Sequence, residues 1–196
     1  MKQSFVFLAE GFEDIEAITV IDLLRRAGMP VTTVSISASL QVRSAHGVTM
    51  TADCLYDNTL FSDPGWLILP GGLPGADNLY SFAPLHGLLR HQAESADGRI
   101  AAICAAPAVV LGKLGLLEGH DATCYPGFEA LMKGARHLDK PVVVSGKFVT
   151  GAGPAKAMEW ALEIIRLQCG AEKAEEVANG LLFYPRHLDN LDYAWG

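Results

Sequence analysis

Two short apolar runs, SFVFLA (Ser4–Ala9) and VTTVSI (Val31–Ile36), flank a stretch with helical periodicity, all within the first 36 residues. In that stretch, IEAITVIDLLRRAG (Ile15–Gly28), Ala17, Val20, Ile21 and Leu24 fall on one helical face. Arg25 and Arg26 occupy its last turn, and Gly28 supplies the stop. Strand, helix and strand in so short a span form a βαβ unit, which requires a parallel strand pair and a right-handed crossover. That constraint excludes all-α and simple antiparallel folds.

The alternation continues along the chain. WLILP (Trp66–Pro70) and IAAI (Ile100–Ile103) are continuous apolar runs, as expected of strands covered on both faces. Helices are expected over Pro84–Ala96, Pro107–Gly115 and Pro154–Gly170, with a short last one over AEKAEEVANG. Residues 40–52 alternate around one glycine and read as an excursion hairpin, and Pro141–Gly151 as a hairpin about Ser145-Gly146-Lys147. The expected architecture is an open, mostly parallel α/β sandwich with helices on both faces. It forms one domain over residues 1–180 with a tail over 181–196. The chain has no repeat and no dividing linker.

The charge balance narrows the function. With 15 basic against 22 acidic residues, the net charge of −7 argues against nucleic-acid binding and against attraction to anionic membranes. No apolar run reaches the roughly 18 residues that span a bilayer, and the N-terminal run is too short for a secretory signal. Cys54, Cys104, Cys124 and Cys169 are scattered, which suits reduced thiols in a cytoplasmic protein. The six histidines show no metal-ligand spacing, so no metal and no cofactor are expected.

In open α/β sheets ligands bind beyond the carboxyl ends of the strands, so the segments after the strands are the ones to inspect. After Ile103 comes Cys104, in A-I-C-A-A, with Ala102 and Ala106 as the small neighbours that a tight strand–helix turn needs. A sulfur at a helix N-terminus is stabilised as thiolate, yet a buried structural cysteine fits the local sequence equally well. After Leu69 comes PGGLPGADN, a glycine turn. It either presents N–H groups to an anion or is an ordinary strand–helix connection with Asp77 or Asn78 near a cap. Beside a thiolate, Gly71 and Gly72 would supply an oxyanion-type pocket. After the first strand come Glu10, Glu13, Asp14 and Glu16. Acids in a first helical turn complement the dipole, and one pressed toward a thiolate would have a raised pKa and could shuttle a proton. Periodicity does not choose among the four. His187 and Asp189 can be imagined as triad partners, but a solvated tail explains them better.

Taken together, AEGFEDIEA, LPGGLPGADNL and IAAICAAPAVVLGKLGLLEG resemble the ThiJ/PfpI superfamily in its deglycase branch, over about Ser4 to Gly180. The resemblance implies a flavodoxin-like α/β sandwich that forms a homodimer. It places Cys104 as the family cysteine and Glu16 as its protonated partner, with Gly71, Gly72 and the Ala105 N–H lining an anion pocket. The protease branch has histidine where this chain has Ala105, which disfavours peptide hydrolysis. Some deglycase members have histidine at Tyr125, whose phenol is a poor base near neutral pH. His46 falls where relatives often carry arginine, and is expected to reach the partner's pocket across the dimer. The implied activity is a cysteine-dependent glyoxalase or deglycase acting on small aldehydes or dicarbonyls. The alternative is a redox sensor or stress-responsive holdase using the same thiol. Glutamine hydrolysis of the amidotransferase type would need a later His-x-Glu pair, and none is present.

Overall fold

The computed structural model describes residues 1–183. The tail beyond Phe183, with His187 and Asp189, lies outside the described residues. The chain runs β1 (Ser4–Leu8), α1 (Asp14–Arg26), β2 (Val31–Ser35), then the antiparallel excursion β3 (Gln41–Arg43) and β4 (Thr49–Thr51). There follow β5 (Cys54–Leu55), β6 (Trp66–Leu69), α2 (Gly75–Ser81), α3 (Ala83–Glu94) and β7 (Arg99–Ile103). A helical segment over Pro107–Gly112 leads to β8 (Asp121–Ala122) and β9 (Arg136–His137), a small parallel pair. The chain closes with β10 (Val142–Ser145), β11 (Phe148–Gly151), α4 (Ala157–Cys169) and α5 (Ala171–Gly180).

Seven strands form the central sheet in the order β10-β11-β7-β6-β1-β2-β5, all pairs parallel except β10 with β11. The period-two alternation of the strands divides their side chains between two cores. Val6, Leu8, Trp66, Ile68, Ala101, Ile103 and Val149 pack on one face with α1, α4 and Val177 of α5. Phe5, Phe7, Leu67, Leu69, Ile100, Ala102 and Phe148 pack on the other face with α2, α3 and Ala108–Leu117. Both faces are covered, which explains why β6 is apolar throughout and β1 and β7 are apolar after their first residues, Ser4 and Arg99. No helix among the described residues is long and apolar enough to cross a membrane.

Three local features refine the sequence reading. PGGLPGADN takes the strand–helix reading: α2 begins within it at Gly75, with Asp77 in its first turn and no side-chain cap. Seven residues are too few for a visible amphipathic period. The expected helix at Pro107–Gly115 is wound more widely over Pro107–Gly112. Lys113 and Leu116 donate to the carbonyls of Ala108 and Leu111, five residues back, at 3.2 and 3.0 Å. The β-branched pair Val109-Val110 weakens the preference for the tighter α form. The edge strand β5, two residues long, carries no pattern to read.

The chain passes from β1 outward to β2, then returns to lay β6 and β7 on the opposite side of β1. The strand order therefore reverses between β1 and β6, and such a switch point leaves a crevice at the carboxyl ends of the strands. The segments that follow β1, β6 and β7 all open there.

Candidate active site

Cys104 follows β7 directly and takes a left-handed backbone with φ 63°. A non-glycine residue there costs on the order of 1–2 kcal/mol, and persists only where its surroundings hold it. Two bonds do so: the Cys104 N–H donates to Gly151 O at 2.9 Å, and Cys104 O accepts from the Tyr125 N–H at 2.8 Å. The kink turns the thiol out of the sheet toward the first turn of α1. There the Glu16 side chain, fully buried, reaches Gly71, whose N–H donates to Glu16 Oε2 at 2.7 Å. The other oxygen, Oε1, is buried and finds no hydrogen-bond partner among the described residues. Cys104 itself is 8% exposed.

The four acids of the first loop separate into different tasks. Glu13 is the N-cap of α1, its carboxylate accepting from the Glu16 N–H at 2.8 Å. Asp14 pairs with His46 Nδ1 at 2.8 Å. Glu10 accepts from the Arg43 N–H, tying the loop to the β3–β4 hairpin. Glu16 alone turns inward to Cys104. Glu13, Asp14 and His46 bring ligand-type atoms within 4.8 Å of one another, but the first is engaged as a cap and the other two with each other.

Burial lifts the Glu16 carboxyl to about 7, opposed by the Gly71 N–H and the Cys104 thiol. The Cys104 thiol is pushed up to about 12, first by burial, then by the charge of Glu16 and its hydrogen bond. The N–H groups of Gly72 and Ala105 pull the other way. These influences oppose the helix N-terminus, which favours the thiolate, for as long as Glu16 is ionised. Both contributions from Glu16 change sign once that carboxyl is protonated, since it then carries no charge and donates to sulfur. Cys104 and Glu16 therefore titrate as a coupled pair.

The glycine loop is corrected in one respect. Gly71 offers no N–H to a ligand, because Glu16 takes it; Gly72 and Ala105 are the donors that face sulfur. Gly71 is nonetheless sterically required. A Cβ at this position would stand 2.7 Å from Cys104 Cβ, and 2.8 Å from both Glu16 Oε2 and Ile103 O. Gly71→Ala is expected to cost about 3 kcal/mol or more, read as a fall in the urea midpoint. A variant of unchanged stability would mean that this loop has slack it does not show. Gly72, at φ 92°, would bring a Cβ to 2.5 Å from the Glu13 backbone nitrogen.

A cleft of about 210 Å³ opens over the sulfur, lined by Gly72, Leu73, Cys104, Ala105, Tyr125 and Phe128. The site thus assembles Cys104, Glu16, Gly71, Gly72, Ala105 and Tyr125 from four separate segments. His46 stands apart: it is exposed between β3 and β4 and does not line this cleft. Leu73 and Phe128 were not read as site residues. The available signal is an apolar residue inside the glycine loop, L-P-G-G-L-P-G, and a second aromatic three residues after Tyr125.

A family model described as the DJ-1/PfpI family matches residues 2–167. The chain is 41% identical over 190 residues to Protein DJ-1 homolog B of Arabidopsis thaliana, covering 96% of this chain and 43% of that protein. It likewise spans 47% of DJ-1 homolog A of the same plant, so it is about half the length of these relatives. A Caenorhabditis elegans protein named glutathione-independent glyoxalase DJR-1.2 is 33% identical over 182 residues, covering 92% of this chain and 96% of that one. Among solved structures, oxidized DJ-1 of Toxoplasma gondii matches with a TM-score of 0.88 and 38% identity, covering 93% of this chain and 99% of that one. Family model, relatives and fold agree: the chain belongs to the DJ-1/PfpI family.

Proposed function

We propose that the chain is a cysteine-dependent, glutathione-independent glyoxalase of the deglycase type, acting on small dicarbonyls through Cys104. The observation that carries this reading is the Cys104–Glu16 pair, a thiol and a buried carboxyl raised to about 7, beneath a small cleft with two N–H groups at sulfur. The relative named as a glutathione-independent glyoxalase adds support.

The chemistry follows from the shared proton. Glu16 takes the thiol proton as sulfur adds to the aldehyde carbon of methylglyoxal; a C–S bond forms, the carbonyl electrons move to oxygen, and Glu16 passes the thiol proton to that oxygen and becomes a carboxylate again. The product is a hemithioacetal. The Glu16 carboxylate then removes the proton from the former aldehyde carbon, and the electron pair moves through to the ketone oxygen as an enediolate. Glu16 returns that proton to the neighbouring carbon while the hydroxyl proton on the sulfur-bearing carbon passes to the other oxygen, which yields the lactoyl thioester. Water cleaves that thioester and restores the thiol, so that methylglyoxal plus water gives lactate with no net oxidation. A carboxyl near 7 suits both acceptance and return of a proton at neutral pH. Related addition to glycated amines or thiols would be seen as deglycation.

The redox-sensor alternative asks for an exposed thiol of low pKa. Cys104 is buried, and its thiol is pushed up while Glu16 is ionised. Exposed Ile15 and Ile18 on α1, with Val48 beside β4, support a homodimer. Four free thiols support a cytoplasmic setting. Purified protein incubated with methylglyoxal and no glutathione is expected to release D-lactate. No lactate above the protein-free control would overturn the assignment.

A further inference from the structure

The cleft over Cys104 has chemically distinct sides. At the sulfur lie the Gly72 and Ala105 N–H groups and Glu16; the remaining walls are Leu73, Tyr125 and Phe128. None of the described residues lining the cleft carries a charge. We propose that Leu73, Tyr125 and Phe128 form an apolar subsite that seats the carbon substituent of an α-oxoaldehyde. The chain would then prefer aryl- and longer alkyl-substituted α-oxoaldehydes to glyoxal, and would reject anionic 2-oxo acids. This rests on the glyoxalase reading above and specifies its substrate class.

Each wall is held in place differently. Tyr125 is tied to the nucleophile's own backbone through its N–H to Cys104 O, and its ring lies close over Gly153, where a Cβ would come within 3.3 Å of Cδ2. Phe128 meets Tyr125 edge-on at a 6.4 Å centroid separation. It also packs against both hydrophobic cores, so it is a wedge between them rather than a free side chain. Leu73 projects from the glycine loop with 48% of its surface in solvent, and Tyr125 keeps 46%. Large apolar side chains left exposed around a reactive sulfur gain by covering the apolar part of a ligand. Glyoxal has no such part. A 2-oxo acid would bring its carboxylate among uncharged walls and toward Glu16, with no cation among the described lining residues to receive it.

The test compares kcat/KM for phenylglyoxal, methylglyoxal and glyoxal in the wild type, Leu73→Asn and Phe128→Ala. The expected wild-type preference for phenylglyoxal over glyoxal is at least about tenfold, falling severalfold in each variant. Turnover without preference, or a preference that neither variant alters, overturns the subsite and leaves the glyoxalase reading standing. Failure to turn over any dicarbonyl overturns the glyoxalase reading instead. The subsite is then decided by alkylation of Cys104, in which sulfur displaces the halide and forms a C–S bond. Rates with phenacyl bromide and chloroacetamide are each divided by the rate with N-acetylcysteine. A phenacyl preference of about tenfold that falls in Leu73→Asn supports the apolar subsite, and equal normalised rates overturn it. Leu73 is half-exposed, so its variant is expected to fold.

Discussion

Cys104→Ser is expected to lower kcat/KM for methylglyoxal by at least about three orders of magnitude, with little change in stability. The serine hydroxyl is nearly isosteric and adopts the same backbone, so the strain at φ 63° is carried over rather than relieved. What is lost is acidity. Glu16, raised to about 7, can take a proton from a thiol whose electron pair is drawn by the Gly72 and Ala105 N–H groups. It is far too weak a base to ionise an alcohol. No imidazole compensates among the described residues: Ala105 and Tyr125 stand beside the sulfur, and none of the described residues lining the cleft is a histidine. The measurement is D-lactate release over a wide methylglyoxal range, with urea unfolding as the control for folding. Turnover within tenfold of the wild type would remove Cys104 from the chemistry, whatever the geometry around it.

Much of this architecture is legible before any coordinates, for a physical reason. Strands buried on both faces cannot tolerate polar interruptions, so β1, β6 and β7 announce themselves as continuous apolar runs. The βαβ unit at the N-terminus then makes the sheet parallel. The carboxyl edge of that sheet, and with it the loops after Leu8, Leu69 and Ile103, follows from topology alone. The identity of the acid does not. Glu10, Glu13, Asp14 and Glu16 crowd around one helix start, and only the hydrogen bond from Gly71, 55 residues away in sequence, distinguishes Glu16 from its neighbours. In the sequence that choice came through the family resemblance. The charge state of Cys104 is not legible from local sequence for a related reason. A helix N-terminus is a local signal, whereas the opposing burial and the Glu16 charge are products of the fold. Leu73 and Phe128 were missed because loop residues carry no periodicity. Their place in the cleft depends on turns such as the left-handed Gly72, which send the chain back over the sulfur.

Glu16→Gln separates the two roles of this carboxyl, and the signs of its effects differ. Glutamine keeps the volume and an oxygen to accept the Gly71 N–H, but it cannot carry a proton between carbon atoms. Turnover is expected to fall by on the order of 10² to 10⁴. The thiol is expected to move the opposite way. Of the influences that push it up, the Glu16 charge and hydrogen bond disappear and burial remains. The midpoint of Cys104 alkylation by iodoacetamide should therefore shift to lower pH, giving a variant with a more reactive sulfur and a slower catalytic cycle. Stability supplies a third readout. The Glu16 pKa rises from 4.5 to about 7 on folding. The native chain therefore binds more protons than the unfolded one between those values, and stability falls as pH rises through that window. The contribution is fully present below about 4.5 and is lost above about 7, a loss of roughly 3 kcal/mol for a shift of this size. Glutamine does not titrate, so Glu16→Gln should gain stability relative to the wild type from pH 5 to pH 8, measured by urea unfolding at each pH. A stability difference that stays flat across that range would mean that Glu16 is ionised at its ordinary pKa. The proton that the proposed cycle passes between sulfur, carboxyl and carbon would then have no resting place on this residue.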